Sequence, residues 1–168
     1  VCSALTTHDC AHSACVAVQA CASYEATAVR GAIQSQFELL GGVERFIKPG
    51  QRVLIKPNLI VPKPAEAAAQ THPEVIFAVA AIVKAAGATA LVGDSPAWST
   101  TRGCLSALGV LERLEQSGAE IVNLNQPVRM RIEDTPVGLS RVALEADAII
   151  NLPKLKAHQQ LGATFAFK

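Results

Sequence analysis

Lys48-Pro49-Gly50-Gln51-Arg52-Val53-Leu54-Ile55-Lys56 is the stretch of sequence that decides the fold. Its first three residues are a turn signal, because Pro and Gly both interrupt regular structure. Val53-Leu54-Ile55 then forms a continuous apolar run, which is typical of a strand buried on both faces of a parallel sheet. We therefore predict a strand over residues 52–56 that ends on a charged residue, Lys56.

Strand and helix patterns alternate on both sides of this stretch. Apolar residues at helical spacing predict a helix over residues 26–40 that ends at Gly41-Gly42. Thr71-His72-Pro73-Glu74 reads as a capping box with Thr71 as the N-cap of a second helix. A third helix is predicted over residues 101–116. The remaining apolar runs predict strands at 15–21, 88–93, 120–123 and 148–152, with a short antiparallel pair at 128–133 and 139–144 around Pro136-Val137-Gly138.

This alternation predicts an α/β fold, a mostly parallel sheet with helices on both faces and a small antiparallel hairpin insertion. The architecture is Rossmann-like, but the sequence has no GxGxxG dinucleotide fingerprint and no P-loop. Residues 1–14 are expected to be a disordered leader. Residues 15–168 are expected to form a single domain that is truncated at its C-terminus.

Composition excludes several classes of protein. The formal net charge of +1 and the absence of a basic stripe argue against a nucleic-acid partner. The longest apolar run, residues 75–83, is far shorter than the ~20 residues that a membrane span needs. No secretory signal is visible at the start, so a cytoplasmic location is expected.

Four of the five cysteines lie in the first 21 residues, at Cys2, Cys10, Cys15 and Cys21. They lack the close CxxC pairs of zinc and iron–sulfur sites. A metal site that also uses the nearby His8 and His12 stays an alternative, but no metal ligand is predicted. Cys104 is expected to be a core residue.

Polar residues lie at or just after the carboxyl ends of three predicted central strands, at Lys56, Asp94 and Lys154. In open α/β sheets, ligands bind beyond the carboxyl ends of the strands, so these residues are expected to share a site. Lys56 and Asp94 have two readings. They either contact a ligand, with Asp94 accepting from a hydroxyl or binding a metal, or they form an ion pair between two strand ends.

Further candidates surround these three. Lys154, Lys156 and His158 project to one side of an extended chain, and Lys154 and His158 share a face in a helix as well. Two ammonium groups and an imidazole suit a phosphate, a carboxylate or a developing oxyanion. The complete set of predicted ligand-binding residues is Lys56, Asn58, His72, Asp94, Ser95, Lys154, Lys156, His158 and Lys168, and the catalytic candidates are His158, Lys56 and Asp94.

Four motifs in this order and spacing resemble a family of proteins. They are Val53-Leu54-Ile55-Lys56-Pro57-Asn58-Leu59, Thr71-His72-Pro73-Glu74, Val92-Gly93-Asp94-Ser95-Pro96 and Ile150-Asn151-Leu152-Pro153-Lys154-Leu155-Lys156-Ala157-His158. Together they resemble domain-of-unknown-function family 362, a prokaryotic group, over residues 16–168. Its usual small residue followed by a Lys-Asn pair maps onto Phe165, which departs from the pattern, and Lys168.

Members of this family are often described as iron–sulfur cluster-binding proteins. The resemblance therefore implies a redox-related protein in which any iron–sulfur cluster belongs to a module outside this chain. Two functions are expected: binding of an anionic small molecule or cofactor at the strand ends, or docking of an iron–sulfur electron-transfer module and its partner. The sequence specifies neither a substrate nor a reaction.

Overall fold

The computed structural model describes residues 15–158 and 162–164, without the side chain of His158. The predicted leader, residues 1–14, lies outside the described residues. The helices are α1 (Ala26–Leu39), α2 (Pro73–Ala85), α3 (Thr101–Ala107), α4 (Leu111–Gln116) and α5 (Arg141–Glu145). The strands are β1 (Arg52–Pro57), β2 (Thr89–Asp94), β3 (Glu120–Asn123), β4 (Pro127–Ile132), β5 (Thr135–Ser140), β6 (Ala148–Leu152), β7 (Lys156–His158) and β8 (Gly162–Thr164).

Four strands form a parallel sheet in the order β3-β2-β1-β6. β4 pairs with β5 and β7 pairs with β8 in two separate antiparallel hairpins. The predicted α/β fold, a parallel sheet with helices and a small antiparallel hairpin, is thus confirmed.

The order of the strands creates a topological switch point between β1 and β6. The chain runs outward from β1 through β2 to β3, and then returns to the other side of β1 to form β6. Connections that diverge from two neighbouring strands leave a crevice at their carboxyl ends, where open α/β sheets bind ligands. Lys56-Pro57-Asn58 and Pro153-Lys154 lie at this crevice.

The core lies between the sheet and the helices α2, α3 and α4. Val53 and Ile55 of β1 and Val92 of β2 are buried in one cluster with Ile76 of α2 and Leu105 of α3. Each such side chain contributes roughly 1.5–3 kcal/mol when it is fully buried. The core therefore holds the sheet rigidly beneath the ends of its strands.

Most elements lie where the apolar patterns predict them. The strands at 120–123 and 148–152 match β3 and β6, and the helix at 26–40 matches α1. Gly41 and Gly42 follow that helix with φ of 98° and 94°, a conformation that Gly adopts without steric cost.

The predicted strand at 15–21 is wrong. Residues 15–25 have no regular structure, and the side chains of Val16 and Val18 are each 84% exposed. The short apolar run at residues 15–21 gives β-propensity, but it cannot form a strand without a neighbouring strand to pair with.

β6, which was expected to be a central strand, lies at an edge of the sheet in the described part of the chain.

The predicted helix over residues 101–116 is two helices. Gly109 has a φ of 70°, and the N–H of Val110 donates to the carbonyl of Leu105 at 3.1 Å. This is the Schellman arrangement that ends a helix at glycine. The apolar spacing continues into α4 and conceals the break, because Leu105, Leu108 and Leu114 are all buried.

The antiparallel pair is shifted from its predicted position. The turn lies at Glu133-Asp134, where Glu133 has a φ of 51°, and Pro136-Val137-Gly138 lies inside β5. Residues 141–145, predicted to lie partly in a strand, form α5. The Pro-Val-Gly sequence was a misleading turn signal, since Pro is tolerated in the edge strand of a two-stranded hairpin.

None of the helices in the described ranges is both long and apolar enough to cross a membrane.

Gly93 provides a test of the packing between β2 and β3. A Cβ atom on Gly93 would lie 2.6 Å from Cγ2 and 2.7 Å from the carbonyl oxygen of Val122. We expect Gly93→Ala to lower the free energy of unfolding by about 1–3 kcal/mol, because the backbone of β3 must move.

Urea-induced unfolding measures this effect, with Gly31→Ala in α1 as the control. A Cβ at Gly31 meets no atom within 4 Å, so Ala should stabilise the helix by up to about 1 kcal/mol. Equal stability of the two variants would contradict the close packing at Gly93.

Candidate functional site

Lys56 and Asp94 form an ion pair at the ends of β1 and β2. The ammonium of Lys56 lies 2.8 Å from Oδ1 of Asp94, and the two side chains are 24% and 3% exposed. Oδ2 of Asp94 accepts a hydrogen bond of 2.8 Å from the N–H of Leu59. Of the two readings of these residues, the geometry favours the ion pair between strand ends.

The ionisation of Asp94 reflects two opposing effects. Burial alone would raise the pKa of its carboxyl group, but the contact with Lys56 and the N–H of Leu59 outweigh burial. The pKa of Asp94 therefore lies below its ordinary value, and its carboxyl group is ionised at neutral pH.

The hydroxyl of Thr71 joins the two sides of the switch point. It donates to the carbonyl of Leu152 at the end of β6 at 2.6 Å and accepts from the N–H of Asn58 after β1 at 2.8 Å. The expected N-cap role of Thr71 is wrong, since the N-cap of α2 is His72. The Asn58 side chain donates to the carbonyl of Ala69 at 3.3 Å, so it holds the loop.

His72 connects the start of α2 to the segment before α1. Its Nδ1 accepts from the N–H of Glu74 at 3.3 Å, and its ring stacks on Tyr24 with centroids 3.8 Å apart. Partial burial is the main cause that lowers the pKa of His72, and the positive charge of Lys154 adds to it, while Glu74 and Glu66 oppose it.

Lys154 lies beside the same aromatic pair. Its ammonium is 3.4 Å from the hydroxyl of Tyr24 and 5.6 Å from the centre of that ring. Within residues 15–158 and 162–164, no ion pair involves Lys154. A half-buried lysine thus lies just after β6 against an aromatic ring.

The loop over residues 58–70 is held in one conformation by its own polar side chains. The side chain of Gln70, which is buried, accepts from the N–H of Ile60 at 3.0 Å and donates to the carbonyl of Lys63 at 3.3 Å. The ammonium of Lys156 donates to the carbonyl of Ala69 at 2.7 Å. The structure therefore brings Lys156 to the same loop as Asn58.

The remaining predicted site residues are Ser95, His158 and Lys168. Ser95 is exposed, and its backbone N–H helps to lower the pKa of the Asp94 carboxyl group. His158 ends β7, but its side chain lies outside the described residues, as does Lys168. Trp98, which is not among the predicted site residues, lies in the loop after β2 and is 78% exposed. Among the described residues, no three His, Cys, Asp or Glu side chains are grouped to hold a metal.

Tyr24 and Gln70 are site residues that were not predicted. Tyr24 precedes α1 without any periodic pattern around it, and Gln70 resembles an ordinary polar loop residue. Gln70 and Thr71 are adjacent polar residues between a Pro-rich loop and a helix. This pattern only weakly indicates a loop that is held by its own side chains. No sequence pattern around Tyr24 indicates that it belongs to the candidate site.

Protonation of His72 should destabilise the fold. The ordinary pKa of 6.5 applies to the unfolded chain, whereas the pKa in the folded protein is lower. The unfolded state therefore binds more protons as the pH falls through 6.5, and stability is lost in that direction. The loss is complete once the pH lies below the folded pKa.

Urea unfolding between about pH 7 and about pH 5 checks this effect against His72→Asn. Asn is a good N-cap that does not titrate. The pH-dependent loss should be smaller in His72→Asn than in the original protein, and identical pH profiles would contradict the role given to His72.

The Lys56–Asp94 pair should behave as a buried pair. Lys56→Met leaves an uncompensated carboxylate and should cost about 3–5 kcal/mol in the free energy of unfolding. The double change Lys56→Met with Asp94→Asn should cost less than the sum of the two single changes.

Arg141→Met is the control, because it removes one partner of the exposed Arg141–Glu145 pair and should change stability by only about 0–1 kcal/mol. Additive effects at Lys56 and Asp94 in denaturant titrations would show that the two residues are not coupled.

Comparisons with known proteins place the chain among its relatives. The family model described as Domain of unknown function (DUF362) matches residues 53–168. A "thylakoid-associated protein sll1697" from Synechocystis sp. is 40% identical over 148 residues, which are 87% of this chain and 46% of that protein. The chain therefore spans about half the length of this curated relative. No solved structure matches it significantly.

The family model covers more than half of the chain and includes all four motifs, so this protein belongs to the DUF362 family.

Proposed function

We propose that the crevice between the carboxyl ends of β1 and β6 binds an anionic small molecule or cofactor. The position follows from the strand order, since the switch point of an open α/β sheet is where its ligands bind. The ligand class follows from the cations found there, and a phosphate or a carboxylate fits them best.

Lys154 is the observation that carries the proposal. Its half-buried ammonium contacts the hydroxyl and the ring of Tyr24. Neither contact involves a carboxylate, and among the described residues no carboxylate forms an ion pair with Lys154. A partly desolvated cation of this kind gains most from an anion, because its interactions are weakly screened by water.

Lys156 and His72 support the same ligand class. Lys156 is half-buried and donates to the carbonyl of Ala69 at 2.7 Å, so a second ammonium beside the loop of residues 58–70 supports the proposal. His72 stacks on the ring that Lys154 contacts, and an anion near Lys154 would also favour protonated His72. These three side chains form the proposed binding set.

Lys56, Asp94 and Asn58 have a positioning role in this proposal. The ion pair and the bonds to Leu59 and Ala69 fix the strand ends and the loop. Lys56 and Asp94 are therefore proposed to hold the crevice open, while the roles of Ser95, His158 and Lys168 as ligands stay predictions.

The wider protein's activity also stays a prediction. Neither the iron–sulfur docking function nor the cytoplasmic location has support in the described residues. The relative's name places that protein at thylakoids, and the chain covers 46% of it.

Lys154→Ala tests the proposed function. Loss of one charge-assisted hydrogen bond of about 1.5–3 kcal/mol should weaken anion binding roughly tenfold to a hundredfold. Titration calorimetry with inorganic phosphate, pyrophosphate and citrate gives the dissociation constants.

Lys63→Ala is the matched control, because Lys63 is an exposed lysine in the loop of residues 58–70, and among the described residues only its carbonyl accepts a hydrogen bond. Its effect on affinity should be small. If no anion binds, or if both variants lose affinity equally, Lys154 does not mark an anion site.

A further inference from the structure

An apolar groove lies between α1, α2 and β6, and its lining includes Leu152, the last residue of β6. It has a volume of about 290 Å³. Eight of its nine lining side chains are apolar, and Gln36 is the exception. The lining residues are Ala17, Ile33, Gln36, Phe37, Leu40, Val75, Val79, Ile150 and Leu152.

Two of the lining residues connect the groove to the crevice. Leu152 ends β6, and its carbonyl accepts the hydroxyl of Thr71 at the switch point. Val75 lies in the first turn of α2, which His72 caps. The groove therefore approaches the crevice at the end where His72, Tyr24 and Lys154 lie together.

We propose that this groove binds the apolar chain of an anionic amphiphile whose head group contacts Lys154. The inference rests on the proposed anion site and names the class of its ligand. Apolar walls leading to a half-buried ammonium match a molecule that is hydrocarbon at one end and a carboxylate or a phosphate at the other.

The volume of the groove limits the length of the chain. A space of about 290 Å³ holds roughly ten groups the size of a water molecule or a methylene. A medium-length acyl chain such as that of decanoate fits this limit. Each buried methylene should strengthen binding about fourfold.

A second groove provides an internal control. It has a volume of about 350 Å³ and lies at the other end of α2, where Ile82, Ala85 and Ala86 contribute to its lining. Arg30, Gln34 and Glu44 also line it. Because its walls are more polar and it lies away from Lys154, it should not bind the same ligand.

Calorimetric titration with decanoate, acetate and decanol tests the inference, with decanoate kept below its critical micelle concentration and decanol below its solubility limit. Decanoate should bind at least a hundredfold more tightly than acetate. Lys154→Ala should weaken decanoate binding at least tenfold and leave decanol binding unchanged.

Val75→Phe and Gln36→Phe fill the groove from α2 and from α1, and Ala86→Phe fills the second groove. The first two should weaken decanoate binding at least tenfold without weakening phosphate binding, whereas Ala86→Phe should change neither. Circular dichroism confirms that each variant is folded, and two variants from different helices protect the test against the misfolding of one.

The outcomes separate this inference from the proposed function. If phosphate and acetate bind with dependence on Lys154 but decanoate binds no better than acetate, the groove inference fails and the anion site stands. If decanoate binds without dependence on Lys154, the groove does not serve that site and the inference fails. If no anion binds at all, both fail.

Discussion

The carboxylate of Asp94 is the constraint on which the end of the sheet depends. One oxygen holds the ammonium of Lys56 on β1, and the other holds the N–H of Leu59 in the loop that follows. The backbone of the same residue exchanges two hydrogen bonds with the hydroxyl of Thr101 at the start of α3. A buried charge with so many partners fixes β1, β2, the loop and a helix relative to one another.

Thr71 extends this constraint across the switch point. Its hydroxyl accepts from one strand end and donates to the other, so β1 and β6 keep a constant spacing beyond their last ladder bond. The polar groups at the strand ends thus divide into two sets. Asp94 pairs with Lys56 and the N–H of Asn58 donates to Thr71, while Lys154 lies against an aromatic ring. Lys154 is therefore the group that we propose contacts a ligand.

The sequence was sufficient for the architecture because buried parallel strands are continuous apolar runs. Val53-Leu54-Ile55 and Ala148-Ile149-Ile150 predict β1 and β6, and both are bounded by turn residues. Val16-Ala17-Val18 shows the same local preference without forming a strand, because pairing depends on residues far away in the chain. The break at Gly109 was missed because the leucine spacing continues through it.

The candidate site was only partly predictable for the same reason. The ends of apolar runs identify Lys56, Asp94 and Lys154, and a parallel sheet brings such ends to one edge. Which of them pair, and which stay available, depends on distances between separate strands. The stacking of Tyr24 on His72 joins residues with no pattern in common, so no spacing rule could reveal it.

Trp98 has a spectroscopic consequence. It is the single tryptophan of the chain, it is largely exposed, and it follows β2 by only a few residues. Indole emission therefore reports on solvent at the carboxyl end of the sheet and nowhere else in the molecule. A shift in the emission wavelength of Trp98, or a change in its quenching, would therefore report a change at this end of the sheet without any attached label. The core around α2 would contribute no tryptophan fluorescence.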